Sequence, residues 1–183
     1  MAVVVAGFAA VLIHPPISNP ALAHELIRLA RDSSTHTARV KEILAKHGWP
    51  DDRAVGSEGS HAAWLLVQRS YQDVDFQQRA LALMQAAADH VSKMDLAYLT
   101  DRVAVASGQP QTYGIEISCT DGKPVLATPV KDEAAADRLR RAAHMDSLGQ
   151  SLAQLAKLCQ AMNEPLLRPP TGPPGSIRVV PRR

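Results

Sequence analysis

The sequence predicts a mainly α-helical, single-domain bundle with one small two-stranded β-hairpin before its last two helices. Three observations carry that expectation. Apolar residues recur at three- and four-residue spacing through successive segments, the period of an amphipathic helix. Aromatic residues make up only 4% of the chain while alanine and leucine abound, which favours helix over sheet. The dipeptide Asp121-Gly122, set between the short runs ISC and PVLAT, spells a tight hairpin turn. With 183 residues, 46% of them hydrophobic, the chain has the material for one core.

In chain order, residues 1–19 form an apolar extension, 20–162 the helical domain and 163–183 a flexible tail rich in proline and arginine. The extension opens with MAVVVAGFAAVLI and runs into His14-Pro15-Pro16. A secretory signal would carry a basic n-region, which is missing, yet Ala21-Leu22-Ala23 has the small-x-small form of a cleavage site. The expectation is a cytoplasmic protein; the alternative is a secreted one whose mature form begins at His24. No run reaches the length of a membrane-spanning helix.

The first helix starts at Pro20 behind Asn19 as cap, with Leu22, Leu26 and Leu29 inward. A second, from Thr37 to His47, buries Val40, Ile43 and Leu44 and stops at Gly48-Trp49-Pro50. A third is expected over 57–70, with Ala62, Ala63, Trp64, Leu66 and Val67 around most of its circumference. A fourth, over 74–89, is plainly amphipathic, with Phe76, Ala80, Leu83, Met84 and Ala87 inward. The fifth follows Ser92, whose hydroxyl and Asp95 three residues on resemble a capping box. Asp132 caps the next helix, EAAADRLRRAAH, and the last is expected over 146–162, with Leu148, Leu152, Leu155, Cys159 and Met162 at core spacing. Cys119 and Cys159 stand far apart with no metal-type spacing and imply no disulfide framework. Cys159 reads as a small apolar filler.

Charge excludes some functions. The net charge is +2, but the last 21 residues hold four arginines against one glutamate, leaving 16 basic and 17 acidic residues elsewhere. A near-neutral folded part lacks the clustered basic face that a nucleic-acid footprint needs. There is no phosphate-binding glycine loop, no HExxH, no nucleophile elbow, no paired-cysteine zinc motif and no dinucleotide fingerprint. Seven histidines are scattered singly, so no metal and no cofactor is expected.

The polar residues of the fifth helix and the loop after it sit where patterning would not put them. Leu96, Leu99, Val103 and Ala106 form one apolar stripe, while Ala97, Ala104 and Val105 flank Asp101 on the other side, a pattern of burial on both faces. A buried carboxylate must be paired or hydrogen-bonded. Asp101 is therefore either a preorganised group in a cleft or half of an internal staple, with Arg102 at its margin. Gln111 and Tyr113 alternate along an extended segment, so they share a side and can converge on that pair. On the third helix Glu58, His61 and Gln68 share a polar seam, and Glu58 and His61 are one turn apart. The candidate site residues are thus Asp101, Arg102, Gln111, Tyr113, Gln68 and His61, with Asp101 or Glu58 as the candidate general base. Arg138, Arg140 and Arg141 form a cluster that is either a solvated face or a clamp for an anion.

The segments HGWPDDRAVGSEGSHAAWLLVQ, LAYLTDRVAVASGQPQTYG and ADRLRRAA, in that order, resemble the bacterial domain-of-unknown-function family six-six-two-four over residues 26–155. The resemblance emphasises Gly48, Trp49, Pro50, Gly56, Gln68, Asp101, Arg102, Gln111, Tyr113, Gly114 and Arg141. It implies no reaction, since none is established for the family. Two departures stand out: relatives carry His-Ala-Asp where this chain has Arg69-Ser70-Tyr71, and Asp-Gln where it has Asp32-Ser33. An activity resting on those positions in relatives would be altered or lost here.

Three functions follow as expectations. The first is a helical binding module for a small molecule or peptide, with a polar cleft around the fifth helix. The second is a hydrolase- or transferase-type enzyme using a carboxylate base with Arg102. The third is a structural interaction protein whose polar residues are internal staples.

Overall fold

A computed structural model describes residues 16–163. The apolar run over 1–15 and the tail over 164–183 lie outside the described residues. Seven α-helices and one hairpin make up the described chain: α1 (Pro20–Arg31), α2 (Thr37–His47), α3 (Asp52–Arg69), α4 (Val74–Ala86), α5 (Lys93–Ala106), β1 (Ile117–Thr120), β2 (Lys123–Leu126), α6 (Glu133–Ala142) and α7 (Leu148–Asn163). A single 3-10 turn, Ala88–His90, links α4 to α5. The mainly helical bundle with a hairpin before the last two helices is therefore the observed fold.

Local chemistry starts most of these helices. Side-chain oxygens of Asn19, Asp51, Asp73, Ser92 and Asp132 each accept from a backbone N–H three residues on, at 2.9–3.2 Å. Each such cap contributes about 1 kcal/mol. Where the hairpin turns, Asp121 and Gly122 both have positive φ, 49° and 73°, the pairing a two-residue turn needs.

α1 to α5 enclose the main core. Leu26, Val40, Ala63, Leu66, Val67, Ala80, Met84 and Leu99 have no exposed surface. Each large apolar side chain among them stabilises the fold by about 1.5–3 kcal/mol relative to exposure. Leu22 and Ala23 belong to the same core. Cleavage after Ala23 would thus cut within α1 and remove its cap.

Sequence and structure part at several element ends. α3 begins at Asp52 rather than at 57, but Gly56 breaks it with φ 74° and ψ 166°, a conformation that a side chain would strain. α4 ends at Ala86, short of 89, because the backbone tightens into the 3-10 turn. α7 begins at Leu148, not at 146: the Ser147 hydroxyl accepts from the Gln150 N–H at 3.2 Å, and the Asp146 carbonyl is taken by Arg140. Gln77, on a face read as apolar, is wholly buried and donates to the Val67 carbonyl at 3.0 Å.

The cysteine reading is overturned. Cys119 on β1 and Cys159 on α7 form a disulfide, with Cα atoms 5.3 Å apart across a sequence separation of 40. Spacing could not announce it, because only the packing of the hairpin on α7 brings the two together. In chain-entropy terms, closing such a loop is worth about 4 kcal/mol. Cys159 is 1% exposed, so it does fill space, but as half of a cross-link.

Candidate functional site

Two parallel stripes of side chains face each other between α3 and α5. On α3 they are His61, Trp64 and Gln68; on α5, Asp95, Tyr98 and Arg102, at the same i, i+3, i+7 spacing, which keeps each set on one face. His61 Nδ1 lies 2.8 Å from Asp95 Oδ2; the carboxylate side chain is 8% exposed and the imidazole 49%. The imidazole stacks on Trp64 with ring centroids 5.0 Å apart, and Trp64 meets Tyr98 edge-on at 6.0 Å. Burial pushes the Asp95 carboxyl above the usual carboxylate range, against the opposing hydrogen bond from His61. Two polar atoms of this seam, Trp64 Nε1 and Gln68 Oε1, are buried with no hydrogen-bond partner among the described residues. Buried polar groups are ordinarily satisfied, so an unmet donor and an unmet acceptor one turn apart mark the seam as unusual.

A second polar cluster holds the loop between α5 and β1. Asp101, with no exposed surface, accepts from the backbone N–H groups of Thr112 at 2.7 Å, Tyr113 at 3.1 Å and Ile115 at 3.0 Å. Gln111, equally buried, donates to the carbonyls of Glu116 and Thr128 and accepts from the Glu116 N–H at 2.7 Å. Arg140 takes a carbonyl of the loop instead: its Nη1 donates to Tyr113 O at 2.9 Å, while its Nε donates to Asp146 O, between α6 and α7, at 2.6 Å. Nη2 of the same guanidinium bonds Ser151 Oγ. At the loop's crown Gly114 has φ 69°, and a Cβ there would lie 2.9 Å from both Leu148 and Val130. Three buried side chains and one glycine thus fix a segment that has no regular ladder of its own.

The residues expected from sequence divide between these two places. Asp101, Gln111 and Tyr113 meet at the loop. Arg102 reaches its edge by donating through Nε to Glu116 at 3.0 Å, so the guanidinium beside Asp101 is not its ion-pair partner. Burial, with the Asp101 charge adding to it, pushes the half-buried Tyr113 phenol above its usual range. His61 and Gln68 lie on the α3–α5 seam. Glu58 is exposed and makes no salt bridge among the described residues; His61 pairs with Asp95 rather than with it. Sequence reasoning missed Asp95, which the pattern marks only as a capping-box residue, Trp64, which it marks only as packing, and Tyr98, which lies on the side of α5 that carries Asp101. Their shared i, i+3, i+7 spacing with the seam was the signal available. Arg140 was seen only as one of three clustered arginines.

Between the two clusters lies a cleft of about 210 Å³, lined by Tyr98, Ile117, Arg140, Met145, Ser151 and Leu155 among others. Tyr98 faces both it and the seam. The positions of the two family departures also meet in space: Arg69 Nη1 donates to the Asp32 carbonyl at 2.6 Å, and Ser70 Oγ lies 2.8 Å from Thr37 Oγ1. No three His, Cys, Asp or Glu side chains gather as metal ligands among the described residues.

Stability separates a site residue from a staple. Because the folded-state pKa of Asp95 is raised, its favourable contribution is present below the unfolded value near 3.8 and is lost as pH rises through the folded one. Asp95→Asn is therefore expected to leave the neutral-pH melting temperature unchanged or higher, and to flatten its dependence on pH above 4. A large drop at neutral pH would make Asp95 a staple.

No curated protein and no solved structure matches the chain. The model of the Family of unknown function (DUF6624) matches residues 13–158, a span holding α1 to α6, the hairpin and most of α7, and the chain belongs to that family.

Proposed function

We propose that this protein is a binding module for a small polar molecule or a peptide, and that its ligand engages the α3–α5 seam. One observation carries the reading: His61 is oriented by the buried Asp95 carboxylate and backed by the Trp64 ring, with half of its surface open. An imidazole so held presents a hydrogen-bonding edge beside flat apolar surface, the mixture that ligand sites use. Asp101, Arg102 and Gln111 support the site by fixing the loop that follows α5 and carries Tyr113. Thermal-shift screening of a library of small polar molecules and short peptides tests this, with His61→Ala as the control. A ligand that shifts wild type and His61→Ala equally would remove the seam from the reading.

The second reading, an enzyme, rests on the same pair. A carboxylate that orients an imidazole supports general-base chemistry better than either base expected from sequence. Asp101 has its oxygens occupied by backbone donors, and Glu58 stands exposed with no hydrogen-bond or ion-pair partner among the described residues. Turnover of an ester or amide probe that survives His61→Ala would exclude this version.

For location, no helix among the described residues is long and apolar enough to cross a membrane. Of the two expected compartments the disulfide favours the secreted one, since cytosolic thiols are kept reduced. Recovery of the native chain from the cytoplasmic fraction with both cysteines free would count against it.

A further inference from the structure

We propose that the Cys119–Cys159 disulfide latches α7 as the closing wall of the Tyr98–Arg140 cleft, so that the cleft is complete only in the oxidised chain. The inference does not depend on what the seam binds.

The packing of α7 motivates it. None of its residues joins the main core, which ends with residues of α5. Its polar anchors lie in its first two turns: Leu148 N donates to Asp137 Oδ1 at 2.8 Å, Ser151 Oγ meets Arg140, and Gln154 bonds Asp146. Beyond Gln154 no α7 side chain makes a hydrogen bond among the described residues. Leu158 and Met162 there are 59% and 76% exposed. What holds this half is partial burial of Leu155 and Ala156, packing along β2 that ends with the Asn163 side chain against Gly122, and the covalent bond at Cys159.

The cleft stands against that same helix. Leu155, the first residue of the half that depends on the disulfide, completes the wall that Ser151 and Gln154 of the anchored half begin; Ile117 on the disulfide-bearing strand forms another, and Arg140, 3% exposed, lies within. Freed at Cys159, the second half of α7 keeps its half-buried side chains and its packing on the exposed hairpin, with no side-chain hydrogen bond among the described residues, to oppose the chain entropy it would regain by fraying. These are the chain's only two cysteines, so no alternative pairing competes. Closure consumes a low-molecular-weight disulfide: the two protein thiols lose two electrons and two protons, and the reagent is reduced to two thiols. Opening is the reverse reaction with a dithiol. Cys119 is the exposed residue of the pair and Cys159 the buried one, so attack by a reagent begins from the Cys119 side.

Full-length protein equilibrated with oxidised glutathione, then with dithiothreitol, tests the latch by hydrogen exchange and by phenylglyoxal labelling of Arg140. On reduction, amides of 155–163 should exchange at least tenfold faster while those of 96–103 on α5 keep their rates. Arg140 should be labelled at least tenfold faster. A Cys119→Ser, Cys159→Ala double variant should behave as the reduced chain without any reductant. Unchanged exchange in 155–163, unchanged Arg140 labelling, loss of protection across α1 to α5 as well, or two alkylatable thiols after glutathione treatment would each overturn it.

Discussion

Replacing Asp101 by asparagine is expected to destabilise the fold by about 3–5 kcal/mol, the range for breaking a buried charged hydrogen-bond network. The geometry leaves the amide no good orientation. Asp101 Oδ1 accepts from Thr112 and Tyr113, and Oδ2 from Tyr113 and Ile115, so every donor points at an oxygen. An asparagine must aim its NH₂ at one of these N–H groups, whichever way it is turned. One buried donor then faces another donor, and the charge that strengthened the remaining bonds is gone. For a domain of this size the melting temperature should fall by roughly 10 °C or more, read by thermal unfolding followed by circular dichroism. A loss below about 1 kcal/mol would mean that the loop finds other acceptors and that Asp101 is no staple.

Gln111→Ala is expected to cost about 3 kcal/mol or more, for a different reason. The side chain makes no ionic contact, but it closes a loop on itself: its amide donates to Glu116 O at 3.1 Å and Thr128 O at 2.9 Å, while its oxygen accepts from Glu116 N. Truncation leaves these backbone groups unmet in a site with no exposed surface, and adds a cavity. Urea unfolding measures it, and the midpoint rather than the slope should move. Because Gln111 and Asp101 hold the same six-residue segment, the double variant should lose less than the sum of the two. Full additivity would show that the two clamps act independently. Loss of a ligand signal in Gln111→Ala alone therefore has to be read against its stability; His61→Ala is the cleaner probe.

The site residues show where sequence reasoning stops. Asp101 stood out because an acid flanked by Ala97, Ala104 and Val105 needs partners, and periodicity alone supplied that. Its partners are the backbone N–H groups of Thr112, Tyr113 and Ile115, which carry no side-chain signature. Arg102, the neighbour in sequence, was the natural guess. It points instead to Glu116 at the far end of the same loop, since consecutive helix residues project about 100° apart. His61 offered Glu58 as a partner by the i, i+3 rule; a helix 34 residues on supplied Asp95 instead.

By itself the sequence determined the elements and the caps at Asn19, Ser92 and Asp132, since apolar period, cap residues and the Asp-Gly turn act within a few residues of where they are written. It also determined the family and, at Asp101 and Gln111, two of the positions that hold the loop. Only the tertiary structure decided the partners: which carboxylate orients His61, which arginine of three is buried, and that two cysteines 40 residues apart are one bond. Those are contacts between segments whose relative placement depends on how α3, α5, the hairpin and α7 pack, and side-chain packing of that kind leaves no local period to read.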